Sequence, residues 1–168
     1  MNFTCPRCDS PFLQRVPQDG HLERLLGRCF IYLFRCQICR HRFRAMRWGI
    51  RYDREPGDRR QYARRPVRFP VTVASQFGEH EGRVTDLSLS GCSIATFAPY
   101  GVGDVLAVRL NALDDKPPIE VDKAVVRTVS QGRLGVEFVT LRDPEEARLR
   151  GLMLALWVEG TKTGRGKG

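Results

Sequence analysis

Along residues 67–74, apolar side chains at Val67, Phe69, Val71 and Val73 alternate with Arg68, Pro70, Thr72 and Ala74. A period of two belongs to a strand with one buried face, because successive side chains point to opposite sides. Similar runs recur at residues 82–87, 92–97, 104–110, 119–129 and 134–139, separated by glycines or by Pro117-Pro118. Six short strands at this spacing predict a small antiparallel barrel or sandwich. Lys123 and Arg127 fall on the apolar parity of their run. That predicts either a bulge or a face that is wet at one end.

After the sixth run the period changes. Leu149, Leu152, Met153, Leu156 and Trp157 stand at i, i+3, i+4, i+7 and i+8, the single apolar stripe of a helix. Asp143 suits the cap, Pro144 the first turn, and Glu145 and Glu146 the positive end of the helix dipole. The simplest use of the stripe is to cover an open end of the barrel; dimerisation is the alternative. Residues 49–65 are polar and charged around Pro56-Gly57, without apolar period, and read as a flexible connector. The expected organisation is therefore a separate N-terminal module at 1–48, a basic linker at 49–65, a barrel with its helix at 66–159, and a disordered Gly/Lys/Thr-rich tail at 160–168.

Charge sharpens this division. The chain of 168 residues carries a net +9; residues 1–65 hold 15 basic against 6 acidic residues, while residues 66–168 hold 13 of each. All the excess lies in the N-terminal part and the linker, which predicts an anionic partner: nucleic acid, a phosphorylated small molecule or an acidic membrane surface. The most apolar segment, residues 25–34, is interrupted by Arg28 and is half the length of a membrane span, which needs about twenty residues. With no secretory leader pattern at the N-terminus, the expectation is a soluble cytoplasmic protein. In that reducing compartment six cysteines are ligands or packed thiols rather than a disulfide framework.

Four of the six form two CxxC pairs, Cys5-Pro6-Arg7-Cys8 and Cys36-Gln37-Ile38-Cys39. Two intervening residues let a tight turn aim both sulfurs at one ion, and two such knuckles complete the closed tetrahedral shell of structural zinc. The intervening length fits a zinc ribbon whose hairpin is extended between the knuckles. Many zinc knuckles carry glycine after the second cysteine, where this chain has Asp9 and Arg40. Cys29 and Cys92 lie in apolar surroundings and are expected to be core residues, and His41 a solvent-facing side chain. A closed shell implies no metal catalysis. Arg40, Arg42, Arg44, Arg47 and Trp48 also form a basic strip with interleaved aromatics, the pattern of single-strand nucleic-acid binders and equally of a solvated basic face.

Ahead of the first predicted barrel strand stands Arg60-Gln61-Tyr62-Ala63-Arg64, and after the second comes Asp86-Leu87-Ser88-Leu89-Ser90-Gly91. RxxxR followed by DxSxxG at this interval, with the later Gly132-Arg133-Leu134-Gly135-Val136-Glu137-Phe138 strand and the terminal helix, resembles the PilZ family of cyclic di-GMP receptors over roughly residues 55–157. The resemblance implies a six-stranded antiparallel barrel with a C-terminal helix and a ligand site formed by Arg59, Arg60, Arg64, Asp86, Ser88 and Gly91. The chemistry is consistent with it. An arginine fork donates paired bonds to phosphate or to a guanine edge and stacks on a purine. Asp86 accepts from guanine N1 and N2 or orients an arginine, Ser88 donates, and Gly91 permits close backbone approach. Asp, Ser and Gly are also ordinary turn formers.

The expected function is a cyclic di-GMP receptor or effector in which ligand-induced ordering of the linker repositions the zinc ribbon toward a downstream protein partner. The alternative is a zinc-ribbon nucleic-acid binder with the barrel as scaffold. No enzyme is expected, because no nucleophile, acid pair or acidic metal cluster stands at catalytic spacing.

Overall fold

Alternation at residues 31–36 builds the centre of the first of two units. The computed structural model describes residues 3–16, 21–52, 62–76, 78–112 and 116–163, and divides at Met1–Ala63 and Arg64–Gly168. The first unit contains β1 (Leu13–Arg15), α1 (His21–Arg28), β2 (Ile31–Cys36) and β3 (Arg42–Met46), the strands forming an antiparallel sheet in the order β1-β2-β3. Tyr32, Phe34 and Cys36 of the middle strand are buried on one side. There Phe34 meets Phe3 edge-on at 4.7 Å and Tyr32 meets Tyr52 at 4.9 Å. Such aromatic pairs contribute about 0.5–1.5 kcal/mol beyond their buried area.

Two expectations for this unit are corrected. A helix, α1, interrupts what the sequence suggested was an extended hairpin; its residues, HLERLLGR, are amphipathic but make only about two turns, too short a stretch to stand out from its surroundings. Cys29 is exposed rather than in the core. It sits in the turn that leaves α1, where Phe30 takes the left-handed conformation (φ 59°) and sends the chain back along β2.

The second unit is a closed six-stranded antiparallel barrel. Its strands are β4 (Arg65–Ser75), β5 (Gly78–Ser88), β6 (Gly91–Ala95), β7 (Val105–Leu110), β8 (Ile119–Ser130) and β9 (Arg133–Thr140), paired around the barrel as β4-β5-β6-β9-β8-β7 and back to β4. Inward positions carry Val71, Val84, Ile94, Val108, Val126 and Leu134, each at most 2% exposed. Burial of one such side chain contributes about 1.5–3 kcal/mol. The two charges on apolar parity are resolved by bulges. The β8–β9 register shifts between Lys123 and Ala124 and again between Val126 and Thr128, so Lys123 and Arg127 reach solvent while Ala124 and Val126 stay inside.

The chain then enters α2 (Asp143–Thr163), whose acidic first turn matches the helix dipole. Leu149 and Met153 are buried against the barrel and Leu152, Leu156 and Trp157 half-buried. The helix is also tied to the start of β4: the Arg65 guanidinium lies over the Trp157 ring at 4.7 Å and donates to the Leu156 carbonyl at 3.3 Å. Residues 160–163 continue α2, correcting the expectation of a tail beginning at 160, because extending a formed helix costs far less than nucleating one. Residues 164–168 of the expected tail lie outside the described residues.

Gly91 opens β6 opposite Glu137, where a methyl group would overlap the Val136 carbonyl oxygen. The obstructing atoms are all backbone of β9, which leaves no side chain to move aside. Gly91→Ala is expected to destabilise the barrel by about 1–3 kcal/mol, the range for overpacking a close-packed site. A chemical melt followed by far-UV circular dichroism, with a midpoint within error of the parent, would refute that assignment.

Candidate functional site

The hairpin between β5 and β6 places the polar residues picked out by motif. Ser88 pairs with Gly91 across the two-residue turn Leu89-Ser90. Ser88, 2% exposed, donates its hydroxyl to the Gly91 carbonyl at 3.0 Å and accepts from the Ser90 amide at 3.4 Å. Ser88 and Gly91 thus shape and close the turn. Asp86 faces outward for a different reason. The β5–β6 register shifts between Val84 and Asp86, so both Val84 and Leu87 remain buried and the carboxylate between them is turned out of the core.

Once outside, Asp86 lies opposite Ser93 of β6. The guanidinium of Arg64, one residue before β4, donates through Nη1 to Asp86 Oδ1 at 2.9 Å and to Ser93 Oγ at 2.9 Å. The pair is partly shielded, with side-chain exposures of 30% for Arg64 and 24% for Asp86. An ion pair of that exposure adds at most about 1 kcal/mol to stability, so its main consequence is a fixed direction for the guanidinium. Continuing across the sheet, Ser93 is partnered by Gly135 and Gly135 by Thr128, forming one row on the outer face. Gly135 keeps that row low beside Ser93, and a methyl group there would meet the Thr128 hydroxyl. Directly inside, burial pushes the Cys92 thiol well above its ordinary range; Asp86 adds to the rise and Arg64 opposes it. Cys92 is inert packing.

The structure therefore brings Arg64 and Asp86 together and adds Ser93, which motif reading missed. The signal was available: in a two-residue hairpin with Ser88 opposite Gly91, counting back two positions on each strand sets Asp86 against Ser93. Arg59 and Arg60 lie outside the described residues.

In the first unit, Cys5, Cys8, Cys36 and Cys39 converge, with all four sulfurs within 4.8 Å of one another. Cys5 and Cys39 are separated by 3.5 Å and Cys8 and Cys36 by 3.6 Å. These distances are far beyond a disulfide bond and close to the about 3.8 Å edge of a tetrahedron with metal–sulfur bonds of about 2.3 Å. The knuckles are built for this. The Cys36 sulfur accepts from the amides of Ile38 and Cys39, each at 3.4 Å. Asp9 and Arg40, the two residues that stand where glycine is common, take the left-handed conformation at φ 52° and 62°. The backbone has the shape glycine favours, at a cost of about 1–2 kcal/mol per residue. Desolvation pushes the Cys8 thiol up to about 12 and also raises Cys36. A cation that draws off those protons would convert a costly cluster into a closed four-thiolate shell, so the donor set fits zinc. His41 stacks on Phe43 at 5.9 Å and is not in the cluster.

Thiol titration with DTNB distinguishes these classes. In the native metal-loaded protein one thiol, Cys29, is expected to react at once; chelator exposes the four cluster cysteines, and Cys92 reacts only on denaturation. Immediate reaction of five thiols without chelator would show that the cluster holds no metal.

A closed six-stranded barrel with a C-terminal helix and an arginine held on its outer hairpin defines a small β domain. Residues 58–155 match the family model of the PilZ domain, and the chain belongs to that family. A curated relative, the alginate biosynthesis protein Alg44 of Pseudomonas putida, is 38% identical over 97 residues, covering 54% of this chain and 24% of that protein. The chain thus spans about a quarter of the length of the curated relative it matches. Among solved structures, YcgR from Escherichia coli in complex with c-di-GMP aligns with a TM-score of 0.54 at 20% identity, over 64% of this chain and 50% of that one. The PilZ domain of YcgR with c-di-GMP gives 0.53 at 18%, over 64% and 98%. The inhibitor of motility MotI/DgrA of Bacillus subtilis gives 0.53 at 16%, over 77% and 65%. At these identities the likeness establishes the fold.

Proposed function

We propose that this chain is a cyclic di-GMP receptor whose ligand is held by Arg59, Arg60 and Arg64 of the segment leading into the barrel and by Asp86, with Ser88 and Gly91 fixing the corner on which it rests. The observation that carries the reading is Arg64, already oriented by Asp86 and Ser93 on the outer face of a PilZ barrel. The ligand-bound state of YcgR, a solved relative, supports the choice of nucleotide. Two phosphates and two guanines match a site of guanidinium donors and one carboxylate: arginine meets phosphate and the O6/N7 edge, and the carboxylate accepts from N1 and N2. The protein acts as a receptor in the cytoplasm and performs no chemistry on the nucleotide.

Zinc held by Cys5, Cys8, Cys36 and Cys39 is the structural element of the first unit in this proposal. The arginines of RxxxR belong to the segment that joins the two units in sequence, so binding that orders this segment changes how the first unit is presented to a downstream protein. Calorimetric titration with cyclic di-GMP tests the receptor reading: saturable heat with the cyclic dinucleotide and none with GMP is the expected result, and no heat from folded protein overturns it. Small-angle scattering tests the coupling. The radius of gyration is expected to fall at saturating ligand, and an unchanged value with ligand bound removes the repositioning step.

A further inference from the structure

At the end of the three-stranded sheet away from the four clustered cysteines, several large apolar side chains face solvent. Leu25 is 59% exposed, Met46 61%, Trp48 78% and Ile50 40%. Met46 and Trp48 stand at one end of the sheet, and Leu25 and Ile50 lie in the turns that flank that end. Met46 is the strand partner of Ile31, Trp48 lies 5.2 Å from Phe30, and the Arg47 amide donates to the Phe30 carbonyl. Leu25 stands in the last turn of α1, which closes through the Cys29 amide on the Leu26 carbonyl, and Ile50 follows in the turn closed on Arg47. Four exposed large apolar groups in so small a unit form a patch that marks an interaction surface rather than scattered exposure.

The charge around the patch identifies its partner. Residues 25–52 contain seven arginines and no aspartate or glutamate. Arg28, Arg44 and Arg51 are exposed and adjoin the apolar tip, Arg44 lying two positions before Met46 on the same face of β3. A single-stranded nucleic acid would use the arginines and Trp48 but gains little from Leu25, Met46 or Ile50, which offer no stacking surface. An acidic lipid surface uses both. Its headgroups meet guanidinium groups, tryptophan rests at the headgroup level, and aliphatic side chains enter the acyl boundary. The tip is about 17 Å along β2 from Cys36, by strand rise over its length, so immersion leaves the metal knuckles in water. The length of chain between them needs no membrane span, and no described helix is long and apolar enough to be one.

We infer that this tip of the first unit docks on anionic membrane surfaces as a peripheral, interfacial anchor, independently of the nucleotide site. The test is co-sedimentation of full-length zinc-loaded protein with vesicles of phosphatidylcholine containing phosphatidylglycerol, with vesicles of phosphatidylcholine alone, and, separately, fluorescence titration with single-stranded DNA. Binding is expected to the anionic vesicles and not to the neutral ones. Trp48→Ser is expected to lower partitioning about tenfold, the scale of one lost apolar anchor. Arg44→Ser should lower it about fivefold, the scale of one basic residue at an anionic surface. In a Trp157→Phe background, Trp48 emission should shift to the blue on vesicle addition and be quenched by brominated acyl chains. Zinc content and far-UV circular dichroism confirm that each variant is folded. Binding to anionic vesicles that is indifferent to Trp48→Ser overturns insertion, and absent vesicle binding with Trp48-dependent DNA binding assigns the surface to nucleic acid instead.

Discussion

Treatment with a strong chelator is expected to unfold residues 1–63 and leave the barrel intact. Among the described residues the first unit has a thin core: a three-stranded sheet buries Tyr32, Phe34, Cys36 and Ile38, with few large aliphatic side chains beside them. Units of this size seldom bury enough apolar area to fold unaided. Structural zinc supplies about 10–16 kcal/mol in finger peptides at neutral pH, and an ion held by the four cysteines would here also have to offset the left-handed backbone at Asp9 and Arg40 and the burial of Cys5 and Cys36. The barrel is expected to be indifferent to such an ion, since its closed sheet and α2 form a separate unit. A thermal melt should therefore lose an early transition on chelation while the late one holds its midpoint, and Cys36→Ser should reproduce the loss with metal content near zero. Acid acts in the same direction, because protons compete with the cation for the thiolates. A metal-free protein that retains both transitions would show that the cysteine cluster is not what stabilises the sheet.

How far these features were legible depends on where the determining interactions lie. Barrel strands were readable because half-burial imposes a period of two on Val67, Val71 and Val73, and even the β8 bulges announced themselves through Lys123 and Arg127 on the wrong parity. The CxxC spacing was readable because the thiolate geometry is local. The helix α1 was not, since its boundaries depend on Phe30 adopting a left-handed turn that no residue preference signals. Ser93 was overlooked because its role arises between strands, from the β5–β6 register. Asp86 was singled out by motif, but the cause of its outward orientation, the shift at Val84, is a property of the paired strands and not of either alone.

Arg64→Ala and Asp86→Ala are each expected to weaken cyclic di-GMP binding at least tenfold while barely changing the melting of the barrel. The two readouts separate because the Arg64–Asp86 pair is a quarter to a third exposed, and pairs so placed contribute at most about 1 kcal/mol to folding. Toward a charged ligand the same groups form charge-assisted bonds of about 1.5–3 kcal/mol each, which corresponds to about 10- to 150-fold in affinity. Asp86→Ala should approach the upper end, for it removes an acceptor and also the charged one of the two groups that hold the Arg64 side chain, so the ligand must order it further on binding. Ser93→Ala leaves that carboxylate in place and removes one hydroxyl acceptor from a guanidinium that keeps its other bond, so a loss of a few-fold is the expected scale for a neutral partner. Arg60→Ala should behave as Arg64→Ala does if the two forks share the dinucleotide. Arg68→Ala supplies the control, an exposed residue on β4 carrying the same charge outside the motif; a loss below about twofold there, beside a large one at Arg64, shows that geometry and not net charge sets the affinity. Equal losses at Arg68 and Arg64 would mean that the barrel attracts the nucleotide by field alone and that the ordered guanidinium on Asp86 is only a feature of the hairpin.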